Sequence, residues 1–453
     1  MGGKGQRSWS WALFLGVVFA MLGGAGAQGA TLEDAVRLAV NTNPDVRSLA
    51  ADRRAVDKEL RQARAGYYPL IDLRAAAGPE WTDREANVSE DVWLGRTESQ
   101  LTLRQLIFDG HETDSEVDRQ LARVDSAAHR VNESAEIIGL NGVLAYLEVL
   151  RRQALVGIAE DNVGAHERTL EDVRRLAEAG RGNVGDVRQT EARVAAARAS
   201  LVRTQGDLQD AEANYIRVIG EPPEGLVRPI ISDSVMSPDR EAAVVLAVRN
   251  NPAIAVATAD IATAKAEREA TRAPFWPRLD LELGTQQNRH IDGVQGREED
   301  FTALLVLRWN LYSGGEDTAR EQEFIERQVE AELERDRARR RIAEDARLSW
   351  NRIGTERGRA ERLAEQVKAN EGVVEAYREQ FLIGRRDLLD VLDAQNELFV
   401  SRGSHVTADY TALFAVYRVL AATGTLLSTL EIERPKDAVP GTRPKETASG
   451  KRP

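Results

Sequence analysis

Three carboxylates stand three residues apart, Asp387, Asp390 and Asp393, directly after Gly384-Arg385-Arg386. On a helix that spacing drifts slowly across one face, and it admits three chemistries. Acids at i, i+3 and i+6 can ligate Mg²⁺, as in aspartate-rich prenyl-transfer motifs. They can trap cations where several copies meet around a constriction. They can also be an ordinary solvated helix face. Nothing elsewhere supports catalysis. The histidines, at 111, 129, 166, 290 and 405, are scattered, with none four residues from another. No glycine-rich phosphate loop or nucleophile elbow occurs. The chain has no cysteine, which excludes disulfides and thiolate chemistry. The expectation is a non-enzyme with neither cofactor nor resident metal.

The elements that carry these acids occur twice. A shift of 208 residues lays Asn43-Pro44 on Asn251-Pro252 and Pro69 on Pro277. A shift of 204 lays Leu103-Arg104 on Leu307-Arg308, Phe108-x-Gly110 on Tyr312-x-Gly314, Gly180 on Gly384, Asp186-Val187 on Asp390-Val391, and Gly220 on Gly424. A period of roughly 205 residues is far longer than a solenoid repeat. It implies two equivalent units, expected over 31–220 and 237–425, around a pseudo-symmetry axis.

Composition places the chain outside the cytoplasm and away from nucleic acid. Lys4 and Arg7 precede an apolar run from Trp11 to Leu22, and Ala25-Gly26-Ala27 offers a small-x-small cleavage site, so 1–27 reads as an export signal. The run is too short for a spanning helix, and no later segment approaches one. The signal carries two positive charges, so its loss takes the net charge from −12 to −14, the wrong sign for binding nucleic acid. With 30% charged and 5% aromatic residues, the profile is that of long solvated helices.

Within each unit the spacing predicts a helix, a break at Asn-Pro, and a second helix. The first unit opens at Thr31 with an acid three residues on, the second at Ser237-Pro238. An aromatic pair and proline then end helical geometry: Tyr67-Tyr68-Pro69 and Phe275-Trp276-Pro277. Alternation with period two follows. Leu279, Leu281 and Leu283 share a face opposite Asp280 and Glu282, and Ile71, Leu73 and Ala75 share a face opposite Asp72 and Arg74. The return strands place Leu101 and Leu103 opposite Gln100, Thr102 and Arg104, and Leu305 and Leu307 beside Trp309 with Arg308 and Asn310 on the other side. Segments of about ten residues with one apolar face are the size of tilted transmembrane strands. The hairpins are expected at about 69–107 and 277–311, with polar loops at 82–91 and 290–300. Tyr67, Tyr68, Phe108, Phe275, Trp276 and Tyr312 all lie at the helix-side ends, as an interfacial girdle. A soluble hairpin packed on a helix explains one such pair less well when there are two. Stretches 111–180 and 315–384 hold no proline and read as very long helices that pack in coiled-coil-like layers. They turn at Gly180-Arg181-Gly182 and at Gly384. Residues 432–453, rich in Pro, Lys and Gly, read as a disordered tail.

Four membrane strands leave edge N–H and C=O groups unpaired in lipid, so the sheet must close by oligomerisation. Two copies would give eight strands around a filled lumen, and three copies a wider barrel.

Together these residues resemble the TolC-like outer-membrane efflux and secretion channels over about 31–430. The match rests on the duplication, the Asn-Pro breaks, the aromatic-Pro strand entries, the Phe108-Asp109-Gly110 and Tyr312-Ser313-Gly314 exits, and the run from Gly384 to Gln395. The resemblance implies a mainly α fold with membrane β structure: a homotrimer whose 12-stranded barrel in outer-membrane lipid continues as an α-helical periplasmic tunnel. It implies docking onto a periplasmic adaptor (a membrane fusion protein) and an inner-membrane ABC transporter or other pump. By the same resemblance Asp390 and Asp393 line the pore constriction, an Arg386–Asp186 salt bridge holds the gate, and Gly180, Gly182, Val184, Gly384 and Arg385 form the adaptor-docking tips. Phe381 stands where the family often has tyrosine. The segment Tyr377-Arg-Glu-Gln-Phe381 and the missing lipidation cysteine look most like the branch serving type I protein secretion. The alternatives are the outer-membrane channel of an RND-type multidrug efflux pump and a periplasmic coiled-coil adaptor, which would explain the helices but not the strands.

Overall fold

A computed structural model describes residues 31–82, 92–232 and 235–441. The export signal and the first hairpin loop lie outside the described residues, apart from Thr82 at the loop's start. The first unit comprises α1 (Leu32–Thr42), α2 (Pro44–Ala65), β1 (Leu70–Thr82), β2 (Val92–Phe108), α3 (Glu112–Glu178) and α4 (Val184–Ile219). The second comprises α5 (Arg240–Asn250), α6 (Pro252–Ala270), β3 (Arg278–Arg289), β4 (Arg297–Arg308), α7 (Glu316–Leu382) and α8 (Leu388–Ala422). A short α9 (Leu426–Thr429) follows. Helices α3 and α7 are 67 residues each, or about 100 Å long.

The Asn-Pro pairs are more than breaks. Asn43 and Asn251 each cap the following helix, accepting from the N–H two residues on at 2.9 and 3.0 Å, with proline at the first helical position, where no N–H is needed. Each asparagine also donates its side-chain N–H to a carbonyl near the end of the long return helix, Asn43 to Val218 at 3.3 Å and Asn251 to Ala422 at 3.0 Å. Equivalent residues thus pin equivalent helices in both units. Thr31 caps α1 as expected, accepting from the Asp34 N–H. Helix α5, however, starts two residues later than Ser237-Pro238 suggested: Asp239 is its cap, its carboxylate accepting from the Ala242 N–H at 2.8 Å.

The four strands form one antiparallel sheet in the order β1-β2-β3-β4. Registers place Ile71 opposite Leu103, Leu73 opposite Leu101, Leu283 opposite both Leu103 and Ala303, and Leu281 opposite Leu305. Opposed residues share a face, so Ile71, Leu73, Leu101, Leu103, Leu281, Leu283, Ala303 and Leu305 lie on one face, which turns polar farther along at Ser99, Gln287 and Glu299, and the other face carries Asp72, Arg74, Gln100, Thr102, Arg104, Asp280, Glu282 and Arg308. The strands run 12 to 17 residues, longer than expected, and the β3–β4 loop is only 290–296. Asn310 falls beyond β4, where its side chain accepts from the Tyr312 N–H.

The apolar core sits at mid-length, where α1 (Val36, Val40), α3 (Val143, Tyr146, Leu147), α4 (Tyr215, Ile219), α8 (Tyr417, Leu420) and α9 (Leu426, Leu427) meet. The Tyr146 hydroxyl donates to the Val227 carbonyl at 2.7 Å and accepts from its N–H at 2.9 Å, fixing the connection between units. Two expectations are corrected here. The tail does not start at 432: Ile432 and Ala438 are buried in the core, Arg54 pairs with Asp437 at 2.8 Å, and the Gly441 N–H donates to Asp125 at 3.0 Å. The apolar residues interspersed among its prolines and lysines anchor it; 442–453 lie outside the described residues. Second, one described stretch, 240–275, does meet the length and hydropathy of a span, with a mean hydropathy of 1.3. Asn251-Pro252 divides it into α5 and α6, and α5 buries Val244 and Ala247 against Ala346 of α7, so part of its apolar surface serves helix packing.

Candidate functional site

Both long hairpins turn by the same geometry. Gly180 and Gly384 have φ of 72° and 76°, a left-handed conformation that costs a side-chain-bearing residue energy. The Arg181 N–H bonds the Leu176 carbonyl and the Arg385 N–H the Gln380 carbonyl, each at 2.8 Å, as in a Schellman closure. Gly180, Gly182, Val184, Gly384 and Arg385 are all exposed at this end, and Val184 and Ile383 present bare apolar side chains at 71% and 62% exposure. Between the hairpins lies a cleft of about 220 Å³ that both Asp186 and Arg386 line.

The three carboxylates divide into separate roles. Asp387 caps α8, accepting from the Leu389 N–H at 3.1 Å. Asp390 pairs with Arg386 at 3.1 Å. Asp393 pairs with Arg193 of α4 at 3.2 Å. The sequence reading missed Arg193, since 200 residues separate the partners. The expected Arg386–Asp186 pair is not made within the described protomer. Arg386 is engaged on its own hairpin: its guanidinium lies 4.0 Å from the Tyr377 ring centre and donates to Gln380 as well as Asp390. Asp186 instead accepts from the Asn183 side chain at 3.0 Å while its own N–H bonds that side chain's oxygen. Local capping and stacking outcompete a contact between hairpins. Phe381 joins Val173, Val187, Leu388 and Leu392 in an apolar cluster.

At the other end, the charged sheet face is internally neutralised. Arg308 donates to Asp280 at 2.9 Å and Glu282 at 2.7 Å, Arg104 reaches Glu282 at 3.2 Å, and Arg96 pairs with Glu80 and Glu98. Such a face suits a wet lumen and not lipid. The apolar face ends in aromatics on both sides. At the helix end Tyr68, Phe275, Trp276 and Tyr312 are exposed. Phe108 packs edge-on to Trp276 at 6.5 Å, and Tyr67 donates its hydroxyl to Asp114 at 2.6 Å. At the far end stand Trp81 and Trp93, which the sequence reading passed over. Counting by twos from Leu73 and from Leu101 reaches both, so the signal was present.

The chain belongs to the outer membrane efflux protein family, whose model matches residues 35–221 and 243–425. It is 24% identical over 407 residues to the outer membrane efflux protein BepC of Brucella suis, covering 90% of this chain and 88% of that one. It is 26% identical to the proteases secretion protein PrtF of Dickeya chrysanthemi, covering 92% of each. Among solved structures, the CmeC outer membrane channel of Campylobacter jejuni aligns with a TM-score of 0.78 at 13% identity, over 90% of this chain and 87% of that one. The fold is therefore that of an outer-membrane channel, with a membrane sheet and long helices on the periplasmic side, and the family is one of transport proteins.

Proposed function

We propose that three copies of this chain close a 12-stranded barrel and form the exit duct of a type I secretion system, passing protein from an inner-membrane ABC pump and a periplasmic adaptor to the exterior. One observation carries the closure. The sheet ends in two free edges, β1 and β4, and the helical layer that continues it runs α2–α3–α6–α7, with free flanks directly below the same edges. Free strand edges in lipid are untenable, and β4 with α7 of one copy can meet β1 with α2 of the next. Twelve strands leave an open lumen where eight would fill it. The exposed glycine turns supply the docking tips, and Asp390 and Asp393 supply a ring of six carboxylates at the entrance. Kinship with a protease secretion protein favours protein cargo.

Kinship with an efflux protein favours a second reading, the outer channel of an RND-type drug pump. In cells lacking their own outer-membrane channel, the chain would be supplied with an ABC exporter and adaptor, or with a drug pump and adaptor. Secreted protein in the medium supports the first reading. Restored drug resistance without protein export would replace it with the second.

A further inference from the structure

The two strand hairpins match rung for rung, and at one rung their chemistry differs. Trp81 stands opposite Trp93, eleven rungs beyond the pair Leu70–Arg104. Eleven rungs beyond Arg278–Arg308, the matching rung of the second hairpin sets Arg289 opposite Arg297. Arg289 is also in register with Thr97 of β2, which shares its face with Leu101 and Leu103, so both arginines lie on the lipid side of the sheet. All four side chains of the two rungs are exposed. At about 3.3 Å per residue and a tilt of about 40°, eleven rungs climb about 28 Å. That is slightly more than the apolar band of a membrane strand, which is about 25 Å tall. The rung therefore stands in the headgroup layer at the end of the sheet farthest from the helices, the outer leaflet.

A tryptophan rung at that depth needs no partner beyond the interface itself. An arginine rung does. Like charges directly opposite destabilise a ladder, and this rung is the last of β3–β4. Glu299 pairs with Arg297, and among the described residues no acid pairs with Arg289. Its nearest same-face neighbours along the ladder, Thr97 and Gln287, are neutral. One guanidinium is left uncompensated where lipid phosphates lie, and the planar fork of arginine matches phosphate with two parallel bonds.

We propose that Arg289 and Arg297 bind a phosphate of an outer-leaflet glycolipid of the lipid A type. The leaflet chooses the ligand: the arginines face away from the periplasmic helices, where phosphorylated glycolipid is the anionic lipid, and not toward the inner leaflet, where glycerophospholipids carry the phosphate. Around a closed barrel, aromatic and cationic rungs then alternate along the outer rim. The inference goes beyond the duct reading and needs only the outer-membrane placement, whatever the cargo.

The test is native mass spectrometry of the full-length protein purified in detergent, titrated with bisphosphorylated lipid A, with the same lipid stripped of its phosphates, or with phosphatidylglycerol. The wild type is expected to bind the bisphosphorylated form about tenfold more tightly than the stripped form, the scale of a bond to a charged group. Arg289→Gln should lose most of that preference, and Arg289→Gln combined with Arg297→Gln all of it. The single variant leaves the Arg297–Glu299 pair intact, and circular dichroism checks that each variant keeps its helices. Equal binding of the two lipid A forms by the wild type overturns the site without any variant. A preference that survives in Arg289→Gln at full strength overturns the role of the rung. Phosphatidylglycerol bound as tightly as bisphosphorylated lipid A overturns the assignment to the outer-leaflet glycolipid.

Discussion

Trp81 and Trp93 face each other across the β1–β2 ladder, on the same sheet face as Leu73 and Leu101 and at the opposite end from Tyr67 and Tyr68. Aromatic residues bracket the apolar face at both ends, as the headgroup layers of a bilayer demand. The orientation of every strand residue follows from that frame, and it can be tested by parity.

Leu73→Arg puts a charge on the apolar face near its middle and should cost about 2–4 kcal/mol of stability in lipid. Arg74→Leu, one residue on, faces the lumen and should cost far less. Urea unfolding from lipid vesicles measures both; equal costs would mean the two faces are misassigned.

For the entrance, Asp390→Ala combined with Asp393→Ala should greatly weaken block by a trivalent cation added from the periplasmic side, because low-dielectric walls strengthen the field of clustered carboxylates. Arg386→Ser should instead raise single-channel conductance, since it frees Asp390 and Tyr377 together. Bilayer recordings that moved neither quantity would return these residues to a solvated helix face.

At the tips, Gly384→Phe forces a bulky residue into φ of 76° and should cost about 1–2 kcal/mol locally. Space around the position is open, so the protein should still reach the outer membrane in normal amount. Export should stop, because the docking tip is reshaped. Undiminished export would locate the adaptor contact elsewhere.

Glu136 of α3 is buried beside α9. Desolvation pushes its pKa from 4.5 up to about 7, against the lowering pull of the Leu426 and Leu427 amides and Arg434. Because the folded value is raised, the folded state binds the extra proton between pH 4.5 and 7, and stability falls as pH rises through that window. Glu136→Gln should abolish this slope and gain up to roughly 3 kcal/mol above pH 7, with no gain below pH 4.5. Unfolding midpoints across pH 4–8 would show it; parallel curves for the two proteins would contradict it.

Much of the fold was legible because its determinants are local and occur twice. The caps at Asn43 and Asn251, the turns at Gly180 and Gly384, and the alternation through Leu279–Leu283 depend on neighbours a few residues away. What the residues alone did not disclose is partner choice between helices. Asp172 of α3 pairs with Arg378, 206 residues on, and Arg193 and Asp393 lie 200 apart. Arg386 illustrates the converse: a pairing inferred from resemblance gave way to three nearer partners on its own hairpin. The 432–441 segment misled because bulk composition conceals two well-placed apolar anchors, Ile432 and Ala438.

The central claim is that this chain is one third of a closed barrel. Light scattering of the protein purified from outer membranes in detergent measures it most directly, with the detergent contribution subtracted. A single species containing three chains is the expected result, and a monodisperse monomer that still inserts into bilayers and conducts would contradict the account.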